Sequence, residues 1–431
     1  MSFQIALSGL DAATTNLEVT SNNIANARTN GFKEARAEFG DVFASSINDT
    51  SSASSGRGVR VNKIAQQFSQ GTVDFTSRNL DLAINGDGFF VLKGEDGALE
   101  FTRAGAYSAD RDGFIVNHKL QKLQIYPAVQ VAGTTTFTTG VLTDLQLPLA
   151  NSAPATTTSL ITAVNLDAAA TVPATAFPAA PANQAAVDAA VTGGTTVTPL
   201  PSAYNYSTST TVYDSLGASH TLSLYYVKTA TANQWDVHTL IDGYNVTNAT
   251  GAPPANRLAF TAAGALDAAN SGSQTLYSAT FGGANPLAIT GTIADMTQYG
   301  GDFAVSNLTQ DGYATGRLSG LDIDSEGIAF ARYTNGQATA LGKVAMAKFN
   351  SPQNLNKVGD SNWAESYASG AAQLGEATTS SFGSIQSGAL EASNVDLSEQ
   401  LVNLIVAQRS FQANAKVVTS TDQILQTIIQ I

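Results

Sequence analysis

The sequence contains no cysteine, which excludes disulfides, thiolate metal centres and cysteine nucleophiles together. It is also poor in charge. Only 13% of its 431 residues are charged, and a net charge of -13 leaves no clustered Lys and Arg of the kind that nucleic-acid phosphates require. No run of about 18 apolar residues exists, so no membrane insertion is expected. Met1 to Leu10 has no basic n-region, and Gln4, Ser8 and Asp11 interrupt its apolar residues, so no cleavable signal is expected either. His118, His220 and His238 are the only histidines, and neither metal-ligand spacing nor a nucleophile elbow accompanies them. Asp322, Asp324, Glu326 and Gly327 fit the start of a calcium loop, but Tyr333 stands where the bidentate carboxylate belongs; a hairpin turn is the better reading. Asn85-Gly86-Asp87-Gly88 lacks the third glycine and following helix of a dinucleotide loop. The expectation is therefore a protein that is not an enzyme, with no catalytic, cofactor or metal site.

Against these absences stand two stretches of helical periodicity at the ends. Leu397, Leu401, Leu404, Gln408, Phe411, Ala415, Val418, Asp422, Leu425 and Ile429 alternate by four and three without a slip. That is a heptad seam, and no Gly or Pro interrupts it. Ser393, Asn394 and Asp396 precede it as candidate caps. A helix of about 35 residues, roughly 50 Å long, is expected. Phe3, Leu7, Leu10, Thr14, Leu17, Ser21 and Ile24 repeat the pattern at the other end. Two helices with one periodicity are expected to pair, because loop closure grows only logarithmically with length. A lone pair would leave Val402, Ile405, Ile424, Ile428 and Ile431 poorly covered, so further copies are expected against it.

Between the helices the pattern is that of strands. Leu80, Leu82 and Ile84 alternate up to Asn85 to Gly88, and Phe89 to Leu92 reads as the return of a hairpin. Asp110 to Gly113 and Asp324 to Gly327 read as further turns, and Val344 to Phe349 as a buried strand. The tract Ala150 to Pro201 is rich in Ala, Thr and Pro. Composition leaves its middle, Ala168 to Thr195, open between order and disorder, and deletion of the tract is expected to be mild. Strand-like sequence resumes at Tyr204, with a turn at Asp214-Ser215-Leu216-Gly217.

Several segments carry a resemblance. Ser21-Asn22-Asn23-Ile24-Ala25-Asn26 with Thr29-Asn30-Gly31-Phe32-Lys33 resembles the N-terminal signature of the flagellar rod and hook family of axial proteins. Ser387-Gly388-Ala389-Leu390-Glu391-Ala392-Ser393-Asn394-Val395-Asp396-Leu397 and Gln408 to Asn414 are similar to its C-terminal signature, and Leu80 to Leu92 with Thr102 to Gly105 to its first β domain. Val212 to His220 resembles the outer domain of the hook branch.

The fold class expected is α+β and multidomain, with terminal helices forming a coiled-coil-like pair and two nested, mainly-β domains between them. The expected boundaries are 1-28 with 392-431 for a helical inner domain, 29-75 with 370-391 for a connector, 76-147 with 298-369 for a first β domain, and 148-297 for an inserted outer β domain. The resemblance implies a structural subunit of the flagellar hook, outside the cell, that polymerises with itself into a flexible tube. It further implies as partners a hook cap protein, a distal rod protein, a hook-filament junction protein and the flagellar type III export apparatus, but neither nucleic acid nor membrane. The expected assembly interface is Leu10, Leu17, Ile24, Leu397, Leu401, Leu404, Phe411, Val418 and Leu425. Two alternatives stay open: a distal rod subunit, and a ligand-binding β protein whose site lies near Trp235 and Tyr244.

Overall fold

The computed structural model describes residues 2-42, 57-131, 134-250, 254-293, 295-379 and 381-429. Of the expectations above, most of the Ser45 to Gly58 linker, Ile431, and the side chains of Leu425 and Ile428 lie outside the described residues. Among the described residues there are three α-helices: α1 (Ser2–Ala25), α2 (Gln184–Gly193) and α3 (Leu397–Ile429). The chain divides into two compact units, one made of residues 1-149, 319-332 and 338-431, the other of 150-318 and 333-337. The second is thus inserted in the sequence of the first.

In the first unit α1 packs against α3 and against an antiparallel pair of strands, β1 (Ala35–Asp41) and β2 (Val59–Gln66). α3 starts where Asp396 caps it: its Oδ1 accepts the Ser398 and Glu399 amides at 2.8 and 3.3 Å, so the cap is the last of the three candidates. Most of the rest is a 13-stranded sheet. Side chains alternate across a strand, so the run Phe89–Lys93 sends Phe90 and Leu92 into one core and Phe89 and Val91 into another. The long strand Ala338–Lys348 does the same with Val344 and Met346 against Ala345 and Ala347. A strand buried on both faces must be apolar throughout, and both are nearly so.

The expected pairing across Asn85 to Gly88 is not made. Leu82–Asn85 pairs with Ser384–Ser387 from the far end of the sequence, while Phe89–Lys93 pairs with Leu99–Thr102. Gly86 and Gly88, at φ 109° and 131°, carry the chain from one sheet to the next rather than back on itself. Periodicity cannot distinguish these outcomes, because both strands alternate whichever partner they find.

The second unit holds a five-stranded sheet built on Tyr206–Tyr213, Ser219–Lys228 and Gln234–Ile241, and a three-stranded sheet of Thr290–Thr292, Ser159–Asn165 and Ala304–Gln310. Ala304–Gln310 falls in the range expected for the first β domain; its pairing with Ser159–Asn165 places it here. The Ala- and Pro-rich tract is ordered. Asn183 caps α2 through its side chain on the Ala186 amide, Gly194 ends it at φ 67°, and Val187 is buried in the core with Trp235 and Tyr226. The deletion expected to be mild would remove that helix and the central strand with Leu160 and Val164. Its expected effect becomes severe within this unit.

Candidate assembly interface

The pairing of α1 with α3 is antiparallel: Asn23 Nδ2 donates to Gln400 Oε1 at 3.2 Å, while a Cβ on Gly9 would lie 2.8 Å from the Asn414 side chain. Ala6, Ala13 and Thr20 form the buried line of α1, and Gln400 and Ala407 are buried on α3. Small residues allow the close approach. Leu10, Leu17, Ile24, Leu404 and Val418 are half-buried beside these lines, whereas Leu397, Leu401 and Phe411 are exposed. The buried lines therefore run one residue before alternate expected heptad positions, with Ala6 for Leu7, Ala13 for Thr14 and Ala407 for Gln408.

Much of what remains outside is apolar. On α3, Leu401, Val402, Val406 and Ile424 are 51%, 60%, 54% and 58% exposed, and on α1 Phe3, Ile5 and Leu7 are exposed as well. Leaving such side chains in water forgoes about 1.5–3 kcal/mol each relative to full burial. A contiguous apolar surface of this kind marks an interaction site.

Below the helices sits a polar junction that the periodicity did not foretell. Asn23 closes on Ala35 with both ends of its amide: Nδ2 donates to the carbonyl at 2.8 Å and Oδ1 accepts the N–H at 3.0 Å. Gln400 donates to Glu34 Oε1 at 2.9 Å, which joins the first turn of α3 to the start of β1. Burial raises the Glu34 carboxyl above its usual range, against the Gln400 bond, which lowers it. Asn394, passed over as a cap, accepts the Glu34 amide at 2.7 Å and donates to the Gln67 carbonyl at 2.9 Å.

Beneath this, Glu391 is shared by two cations. Lys33 Nζ lies 2.6 Å from Oε1 and Arg103 Nη1 3.2 Å from Oε2, with side chains 0%, 0% and 5% exposed for Lys33, Glu391 and Arg103. Burial outweighs the attraction of Glu391 and holds the Lys33 ammonium below the ordinary lysine range. Further bonds brace the triad: Lys33 also donates to the Ser69 carbonyl at 2.7 Å, Arg103 to the Gly86 carbonyl at 2.8 Å, and the Gly71 amide to Glu391 Oε1 at 3.0 Å, while the buried Arg103 Nε finds no partner among the described residues. Gly31, at φ 69°, lets its amide reach the Glu391 carbonyl at 2.8 Å, where a Cβ would stand 2.4 Å from the Ala104 nitrogen. The junction binds the bases of both terminal helices to the sheet. Lys33, Arg103 and Glu391 belong to segments of the family resemblance, but Lys33 and Arg103 lie 358 and 288 positions from Glu391, so local sequence gave no sign that they meet.

Among the described residues, the other polar clusters serve their own turns and cores. Asp324 Oδ1 accepts the Glu326 and Ile328 amides of its own turn, and Asp322 pairs with Arg332. Trp235 is fully buried, its Nε1 donating to Gln298 at 3.1 Å, so it lines no ligand site. His220 bridges Asp242 at 2.7 Å and Asp214 at 3.4 Å, tying two turns together. His238 lies stacked under Phe177, ring centres 4.1 Å apart.

Four family models match the chain: "Flagella basal body rod protein" over 3-33, "Flagellar hook protein FlgE/F/G D1 domain" over 83-150, "Flagellar basal body protein FlaE D2 domain" over 165-313, and "Flagellar basal body rod FlgEFG protein C-terminal" over 386-431. The flagellar hook protein FlgE of Escherichia coli K12 is 37% identical over 437 residues, covering 100% of both chains. That of Borreliella burgdorferi is 34% identical over 459 residues, covering 99% of this chain and 98% of its own. Among solved structures, Helicobacter pylori flagellar hook protein FlgE2 aligns with 74% of this chain and 100% of its own, at 16% identity and a TM-score of 0.49.

Proposed function

The chain belongs to the flagellar hook protein FlgE family, and from that premise we infer how its copies hold together. It is a structural subunit, not an enzyme; it polymerises with itself into the hook, the flexible tube that transmits torque from rod to filament. α1 and α3 form the inner domain and make the directional contacts along the tube, through Leu10, Leu17, Ile24, Leu397, Leu401, Leu404, Phe411, Val418 and Leu425 together with the exposed valines and isoleucines around them. The neutral surfaces of the β domains slide against those of neighbouring copies as the tube bends. The cap protein guides addition, the distal rod and hook-filament junction proteins meet the two ends, and the flagellar type III apparatus delivers the chain.

The observation that carries this reading is the apolar surface left on the α1 and α3 pair, with Leu401, Val402, Val406 and Ile424 more than half exposed. Among the described residues of one copy nothing covers it, and a second copy would. Leu404→Asp tests it by placing a carboxylate at a half-buried leucine, where desolvation costs several kcal/mol unless the group reaches water. Electron microscopy is expected to show tubes from the parent and none from the variant, while calorimetry shows both β units melting as before. Tubes from Leu404→Asp at the parent's concentration would refute the assignment of the helices.

A further inference from the structure

On α1 every charge is acidic, and the middle of α3 carries only basic ones, with Glu399 and Asp422 near its two ends. α1 carries only Asp11 and Glu18, seven positions apart, and α3 between Gln400 and Thr421 carries only Arg409 and Lys416, also seven apart. All four side chains are exposed, and none forms an ion pair among the described residues.

Their placement explains why. At about 100° per residue, Arg409 and Lys416 stand roughly 140–180° around α3 from the line Gln400, Ala407, Asn414 that meets α1. Asp11 and Glu18 stand roughly 120–180° around α1 from Gly9, Ala13 and Asn23. The flank of α1 bearing Ser8 and Val19 is covered by the strand pair, since Ser8 Oγ accepts the Val59 amide at 3.2 Å and Val19 packs with Ala35 and Ala37. The acids are left on the open side. Within one copy the two charged faces point away from each other and cannot meet.

We propose that the basic face of α3 in one copy docks on the acidic face of α1 in a second copy, with Arg409 opposite Glu18 and Lys416 opposite Asp11. The inference rests on the assembly reading above and names the contact between neighbours. Equal spacing on both helices brings both pairs into register together. The antiparallel sense matches that within a copy, where Gly9 faces Asn414 and Asn23 faces Gln400. Relative to that internal register the second α1 is displaced by four residues, about 6 Å along the helix at 1.5 Å per residue. Such a contact joins two different faces, so it repeats from copy to copy, and the axial displacement makes the repeat a helix rather than a closed ring. Leu401 and Ile405 lie on the same side of α3 as the basic residues, and Phe3 and Leu7 on the same side of α1 as the acids, so apolar side chains become buried around the ion pairs.

The test is charge exchange in the full chain, with critical concentration for assembly measured by sedimentation and tubes identified by electron microscopy. Arg409→Glu with Lys416→Glu, or Asp11→Lys with Glu18→Lys, is expected to raise the critical concentration about tenfold or more, because like charges then face each other. The chain carrying all four substitutions is expected to return to within about threefold of the parent. High salt is expected to narrow the gap between double variants and parent. Unchanged β-unit melting confirms that each variant is folded. Double variants that assemble like the parent, or a fourfold variant as deficient as either double, would overturn the proposed pairing while leaving self-assembly intact. A parent that forms no tubes would instead overturn the reading on which the pairing rests.

Discussion

Glu391→Gln is the substitution that bears most on how the terminal helices are anchored. It removes the single buried anion between two buried cations, Lys33 at 2.6 Å and Arg103 at 3.2 Å. Glutamine matches the shape of glutamate but supplies one acceptor oxygen where three donors converge, those of Lys33, Arg103 and the Gly71 amide. Its own NH2 group then faces a donor, and two cations lose their counter-charge away from water. Breaking a buried pair from one side typically costs about 3–5 kcal/mol, because an uncompensated charge stays behind. A domain stable by 5–15 kcal/mol loses a large part of its margin. At about 2–4 °C per kcal/mol, calorimetry should show the transition of the first unit lowered by roughly 6–20 °C, with that of the second unit unmoved. Adding Lys33→Met should recover more than about 1 kcal/mol, since one stranded cation is gone while the lysine stem is replaced in kind. A transition for Glu391→Gln within about 1 kcal/mol of the parent would mean that the triad contributes no more than a surface pair, and the account of the junction would be wrong.

Two further outcomes are expected. Gly31→Ala combines a positive φ with a Cβ 2.4 Å from the Ala104 nitrogen, so the same transition should fall by more than the roughly 1 kcal/mol that a left-handed backbone alone costs, as checked by chemical denaturation. Burial under Phe177 lowers the His238 imidazole from 6.5 to about 4, with Asp236 opposing. Above pH 6.5 the group is neutral in both states and contributes nothing. Between about 6.5 and 4 only the unfolded chain takes up the proton, so the second unit loses stability as pH falls, by at most about 3 kcal/mol. Melting temperatures across that range should show a decline that His238→Gln diminishes; identical profiles would place the acid sensitivity elsewhere.

The ends of the chain were legible because their information is local and repetitive. The boundaries of α3 follow from an uninterrupted period of 3.5, a capping aspartate and the absence of Gly and Pro between Leu397 and Ile429. The turn at Asp214 to Gly217 was legible for the same reason, since Asp214 serves its own loop by accepting the Leu216 and Ala218 amides. The Ala- and Pro-rich tract was harder, because its order comes from Val187 entering a core and Phe177 covering His238, contacts that composition does not register.

The amino-acid order by itself determined the terminal helices and the strand-rich character of the stretches between them, since each depends on residues near one another in the chain, while the structural role followed from resemblance to the flagellar rod and hook family. Only the tertiary structure decided which face of α1 meets α3, which strands pair across more than 250 residues, and that Lys33, Arg103 and Glu391 meet out of reach of water. Periodicity fixes the direction in which a side chain points from its own backbone. It carries no record of what another part of the chain will set against it, and the burial of charge is fixed by that encounter.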